Sequence, residues 1–128
     1  MAAREPRVEP VNLLSLGDAV LDRARTASAG RAAQTVRGGA GLLRQSLLAL
    51  VAGAELAEHE SPPEATLHVL TGLIRLHGQG RAWELRAAEI IPIPPERHSV
   101  TAVEDSVFLL TVRRDIDPAD DERQGPRL

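Results

Sequence analysis

The chain contains no cysteine, no lysine and no tyrosine, and only one tryptophan and one phenylalanine. Without cysteine there is no disulfide framework, no thiolate metal site and no cysteine nucleophile. No dense basic run is present either. Fifteen Arg stand against eighteen Asp and Glu, for a net charge of −3, so nothing in the chain could neutralise a row of phosphates and nucleic acid is not an expected partner. No window approaches the ~18 to 20 apolar residues of a membrane helix. The first ten residues, rich in Arg, Glu and Pro, do not read as a secretory signal. These absences lead to the expectation of a cytoplasmic address and no membrane partner. Also missing are an internal repeat, a glycine loop of phosphate-cradling spacing, a G-x-S-x-G elbow and an H-E-x-x-H pair, which leaves most familiar enzyme classes unsupported.

What is present suffices for one domain with a core: 128 residues, 43% of them hydrophobic and 26% charged. Residues 1–10 mix charge with proline, and residues 115–128 are acidic and poor in apolar side chains, so both stretches read as disordered tails. Residues 11–30 read as an N-terminal helix packed on the rest. Leu13, Leu14, Leu16, Val20 and Leu21 recur near a helical period over 11–27, Asp18 and Asp22 fall on the other side, and Ser28 to Gly30 end it. From there to residue 114 the pattern changes to short apolar runs at 33–37, 42–52, 55–60, 66–71, 73–77, 82–86, 90–93, 99–103 and 107–113. Turn signals separate them, among them Gly53, Ser61-Pro62-Pro63, Gly72, Gly78-Gln79-Gly80 and Pro94-Pro95. Nine strands leave many edges, and closure into a barrel or jelly roll removes them. Residues 42–56 are apolar enough for a buried helix, but the flanking glycines favour a bent strand.

Four histidines are the natural carriers of chemistry in a chain without Cys or Tyr. His68 and His77 sit within strands whose alternate residues are apolar, so they are expected to face outward. His59 and His98 stand at strand boundaries, beside the Ser61-Pro62-Pro63 and Pro94-Pro95 turns, where barrel mouths place functional groups. Arg97, next to His98, is positioned to pin an anionic ligand at such a mouth. Trp83 and Phe108 read as core, and Arg75, Glu84 and Arg86 as a cross-strand surface set.

These residues carry a resemblance. Gly53, His59, Ser61, Ala65 and Gly72 reproduce the spacing of the first motif of the cupin superfamily, G(X)5HXH(X)3,4E(X)6G. The second motif, G(X)5PXG(X)2H(X)3N, resembles residues 88–102 with Pro94, Pro95 and His98 in place and one residue fewer before the histidine. The similarity covers roughly residues 40–113. It implies an all-β fold, a double-stranded β-helix (cupin/jelly-roll) barrel over residues 31–114 with one short N-terminal helix. It also implies a divalent metal site of two His and a Glu from the first motif and a His from the second. Here His59 and His98 match, whereas Ser61 and Ala65 occupy the other two ligand positions. A serine hydroxyl is a poor ligand for a first-row divalent ion and an alanine methyl is none. Glu55 shares strand parity with His59 and Ser61, although about 13 Å along the strand from His59, and Glu64 has the opposite parity.

Two functions are expected from this set. The first is a metal-poor barrel that binds a small molecule through His59, Ser61 and His98, with the ligand body against Leu67 and Val69. The alternative is a metal-dependent enzyme of dioxygenase or isomerase type with Zn, Fe, Mn or Ni on His59 and His98. A sensor domain that reads DNA itself is not expected, since one short helix cannot form a helix-turn-helix. Residues 42–50 carry more apolar side chains than one inward face can use, so a homodimer through outer strands is expected.

Overall fold

The computed structural model describes residues 8–59, 64–94 and 96–114, and for Glu58 and His59 the backbone alone. The two tails beyond those limits and the Ser61-Pro62-Pro63 turn, with the expected site residue Ser61, lie outside the described residues.

Helix α1 (Leu13–Thr26) begins where Asn12, in extended conformation, turns its side-chain oxygen back to accept the backbone N–H groups of Leu14 and Ser15, both at 3.0 Å. That cap satisfies two donors that the first turn leaves without intrahelical partners. Nine strands follow: β1 (Arg31–Arg37), β2 (Leu43–Leu50), β3 (Glu55–His59), β4 (Glu64–Thr71), β5 (Leu73–Gly78), β6 (Arg81–Arg86), β7 (Ile90–Pro92), β8 (His98–Ala102) and β9 (Ser106–Arg113). Each corresponds to one apolar run of the sequence. The helical alternative for residues 42–56 is excluded, because β2 ends at Leu50 and a turn through Gly53 leads into β3.

The strands form two antiparallel sheets, β1-β2-β9-β4-β7 and β3-β8-β5-β6. Period-2 alternation decides what lies between them. From the larger sheet Leu50, Leu67, Val69 and Phe108 point inward. The smaller sheet contributes Ile74, Leu76, Leu85, Val100 and Ala102, and all nine are buried in one apolar cluster. Leu67 and Val69, which the sequence places against a ligand, are 1% and 0% exposed within that cluster, so they are core residues.

A second cluster lies on the outer face of the larger sheet. There Leu47, Ala49 and Val107 are buried with Val20, Leu21 and Ala24 of α1. The apolar surplus of residues 42–50, which suggests a partner subunit in the sequence, is therefore consumed in part by the chain's own helix.

The chain passes between sheets at tight corners, and two of them interlock. Gly72 joins β4 of one sheet to β5 of the other with φ +91°, a left-handed conformation that side chains disfavour. Next to it, Ser106 opens β9 after the return from β8. Its buried hydroxyl accepts the Leu73 N–H at 3.0 Å and lies 2.6 Å from the Glu104 carbonyl, to which it donates. Both glycines that frame the first motif, Gly53 and Gly72, have positive φ. Ala88, at the leading glycine of the second motif, adopts φ +75° as well and donates its N–H to the Val69 carbonyl at 2.8 Å. The turn is thus kept without the glycine, at a strain of about 1–2 kcal/mol.

Candidate functional site

The candidate residues gather at one end of the smaller sheet. Pairing across its four strands sets residues into rows, and members of a row share a face. One row runs Leu56, Val100, Leu76, Trp83 across β3, β8, β5 and β6. It belongs to the core, with Leu76 and Val100 fully buried and Leu56 and Trp83 packed at its margin. The next row toward the sheet end runs His59, His98, Gly78, Arg81. Apolar side chains thus give way to two histidines, a glycine and an arginine in one step, where the sheet meets solvent.

His59 and His98, separated by nearly forty positions in the chain, are direct cross-strand partners. The register that unites them contains an irregularity. Glu55 pairs with Thr101 and Leu56 with Val100, whereas His59 pairs with His98, so β3 spends three steps where β8 spends two. Such a bulge shifts all following residues to the other parity. Glu55 therefore does not share the face of His59, contrary to the sequence parity. It is exposed, in the outward row of Thr101. Glu64 is exposed too and pairs with Arg113 at 2.9 Å. Neither carboxylate reaches the histidine row.

His98 is 3% exposed, and its Nδ1 lies 3.0 Å from the Glu96 carbonyl. A carbonyl only accepts, so this nitrogen carries the proton. In the neutral ring the lone pair then belongs to Nε2, and the ring is oriented in advance by the backbone of its own loop. Gly78 stands between His98 and Arg81 in this row, and its open side is packed by Pro94, the His98 Cβ and the Arg97 carbonyl, each 3.5–3.6 Å from where a side chain would begin. Arg81 extends over the Trp83 ring, 4.7 Å from its centroid. The turn Gly78-Gln79-Gly80-Arg81 is tight, with φ +56° at Gln79 and +68° at Gly80, and this fixes Gly78 opposite Arg81. Beside the row lies an open cleft of about 500 Å³ lined by His77, Gly78, Gln79, Gly80, Arg81, Glu96 and Arg97.

The other residues singled out in the sequence lie elsewhere. His68 and His77 are half-buried on the outward parity of β4 and β5, with His77 Nε2 3.4 Å from the Thr101 hydroxyl. Arg75 and Glu84 form a cross-strand ion pair of 2.5 Å, and the Arg75 guanidinium holds the Glu84 carboxyl below the usual carboxylate range. This exposed pair is remote from the histidines in register. Arg81 is the residue that the sequence reading did not select. Its signal was the Gly-x-Gly turn, which sets its parity against Gly78.

A metal is what the motif frame implies, and the donor set can be tested against it. Position 65, the carboxylate of that frame, is a methyl 6% exposed in the core. Among the described residues no three His, Asp or Glu come together. A first-row divalent ion held by protein needs three or four convergent donors, and the described residues do not fit one.

Comparison with known proteins bears on the fold. No protein-family model matches the chain, and no curated protein does. Solved structures do. A cupin superfamily protein from Desulfitobacterium hafniense is 15% identical with a TM-score of 0.69, covering 86% of this chain and 94% of that one. An RmlC-like cupin from Shewanella frigidimarina is 19% identical with a TM-score of 0.62, covering 70% and 81%. The Cupin_2 domain of an XRE family transcriptional regulator from Enterobacter cloacae is 11% identical with a TM-score of 0.59, covering 67% and 98%. Two facing antiparallel sheets, the two motif frames in their structural places and these neighbours lead to one conclusion: the chain has the fold of a small cupin domain.

Proposed function

We propose that this protein binds a small organic molecule at the His59 and His98 end of the cupin fold, directly and without a resident metal. The observation that carries this reading is His98. It is buried and held in one orientation by a backbone carbonyl, in register with His59, while the carboxylate position of the motif frame is the core methyl of Ala65. The imidazole fixed at Nδ1 gives this end of the fold a rigid polar group, and Ser61 adds a hydroxyl from the same motif. Because Leu67 and Val69 belong to the packed interior, the ligand sits at the end of the barrel, above the Leu56, Val100, Leu76, Trp83 row.

A thermal-shift screen of small acids, alcohols and amides against the full chain in EDTA tests this. At least one compound should raise the melting temperature saturably. His98→Gln should weaken that compound about tenfold, the equivalent of one buried hydrogen bond. A screen without any shift, or shifts that require added metal, would overturn the reading.

A further inference from the structure

We infer that the open edge of strand β1 is held closed by Arg23 of α1, and that the partner it keeps out is the β1 edge of a second copy of this chain. The inference is independent of the binding role proposed above. β1 is an outer strand of the larger sheet and spans seven residues, against three for β7 at the opposite edge. In an antiparallel ladder alternate residues turn their N–H and C=O groups to the neighbouring strand, and those between turn them away. The Val51 N–H meets the Gly30 carbonyl at 2.9 Å at the head of this ladder. In the same register Ala32 and Gln34 bond to β2 at Ala49 and Leu47, so the backbone groups of Arg31, Ala33 and Thr35 point to the open side. A row of that kind is a template for a further strand.

Both carbonyls in the middle of that row are occupied by side chains. Arg23 reaches across from the helix and donates a guanidinium N–H to the Ala33 oxygen at 2.6 Å, and the Gln34 amide donates to the Thr35 oxygen at 3.3 Å. The first bond is charge-assisted and is the stronger of the two. Packing sets its position: Val20, Leu21 and Ala24 are buried against the larger sheet, and the helix they seat lies on β1 as well as β2. A strand that came to pair at Ala33 would first have to displace the guanidinium. Two further features act the same way. The register shift between Thr35 and Arg37 interrupts the ladder. Arg31 and Arg37, at the two ends of β1, would set like charges opposite each other in an antiparallel self-pairing centred on Gln34.

Sedimentation of the full chain over a wide range of concentration, together with amide hydrogen exchange at Ala33 and Thr35, tests the inference. In the natural chain both amides should exchange at a rate independent of concentration, and association through any other face leaves them so. Arg23 is exposed, so its replacement spares the core. Arg23→Ala should gain mass with concentration, toward twice that of the natural chain, with exchange at both amides slowed about tenfold. Adding Ala33→Pro, or Thr35→Pro in its place, to Arg23→Ala should abolish the gain, because proline removes an outward N–H that the pairing needs and an edge position tolerates it. Arg25→Ala removes the same charge from the same helix, but its guanidinium meets Asp22 and Asp105, so this variant should behave as the natural chain. If Arg23→Ala keeps the mass and exchange of the natural chain, the inference is overturned. Protection of the natural chain's own Ala33 and Thr35 amides that grows with concentration would overturn it too. So would an equal gain in mass by Arg25→Ala or by both proline variants, which would place the association elsewhere.

Discussion

Replacing Gly72 with alanine is expected to destabilise the fold by about 2–5 kcal/mol, the sum of a left-handed backbone penalty and of overpacking. The residue sits at φ +91°, and a methyl there would collide with the Ser106 hydroxyl and the Asp105 carbonyl. One of those atoms is backbone, and the other is held by Leu73 and Glu104, so neither can step aside cheaply. Both are part of the place where the β4 to β5 crossing touches the β8 to β9 crossing, so the strain falls on the contact between the two sheets. Gly53 is a control, since it also has positive φ, +87°, but a methyl there meets nothing within 4 Å. Chemical denaturation of both alanine variants measures the difference. Gly53→Ala should lose only the backbone penalty of about 1–2 kcal/mol. Equal losses at the two positions would show that the corner contact does not contribute.

The second large effect is expected from Ala65→Glu, which supplies the carboxylate that the cupin motif frame has at this position. In chelator the variant should be less stable than the natural chain by several kcal/mol, because a carboxyl group would enter an apolar cluster with no described partner. With Zn²⁺ or Ni²⁺ the outcome divides. If position 65 faces the histidines, metal should restore stability, by about 2.7 kcal/mol at a hundredfold excess over the dissociation constant. The natural chain under the same conditions should show no such gain. A metal-dependent rise in the natural chain equal to that of the variant would mean that His59, His98 and a further donor already suffice.

The sequence carried the strands well, because each is an apolar run of strand length and most are closed by a glycine or proline; in the folded chain Gly53, Gly72 and Gly80 sit in the turns with positive φ. It also carried the helix, where Asn12 precedes the apolar stripe as a cap. What it could not carry was register. The bulge between Leu56 and His59 leaves no mark in a pattern read two residues at a time, so strand parity alone puts Glu55 on the face opposite to the one it takes. The row that joins His98 to Arg81 depends on pairings among β8, β5 and β6. Only the tight β5 to β6 turn is local, whereas the β5 to β8 pairing joins strands about twenty residues apart. Nor does composition tell that part of the outward apolar surface of β2, at Leu47 and Ala49, is covered by α1. A helix stripe and a sheet surface look alike whether they meet within a chain or between chains. Ala88 is the reverse case. An alanine in a glycine's place suggests a lost turn, yet the backbone keeps the left-handed conformation because its N–H is held by Val69.

Elemental analysis of the freshly purified protein, without added metal and without chelator, examines most directly whether this barrel end acts through its own side chains. The account predicts Zn, Fe, Mn and Ni each far below one atom per chain, with no difference between the natural protein and its His59→Ala and His98→Ala variants. One atom of a single metal per chain, lost from both variants, would contradict it.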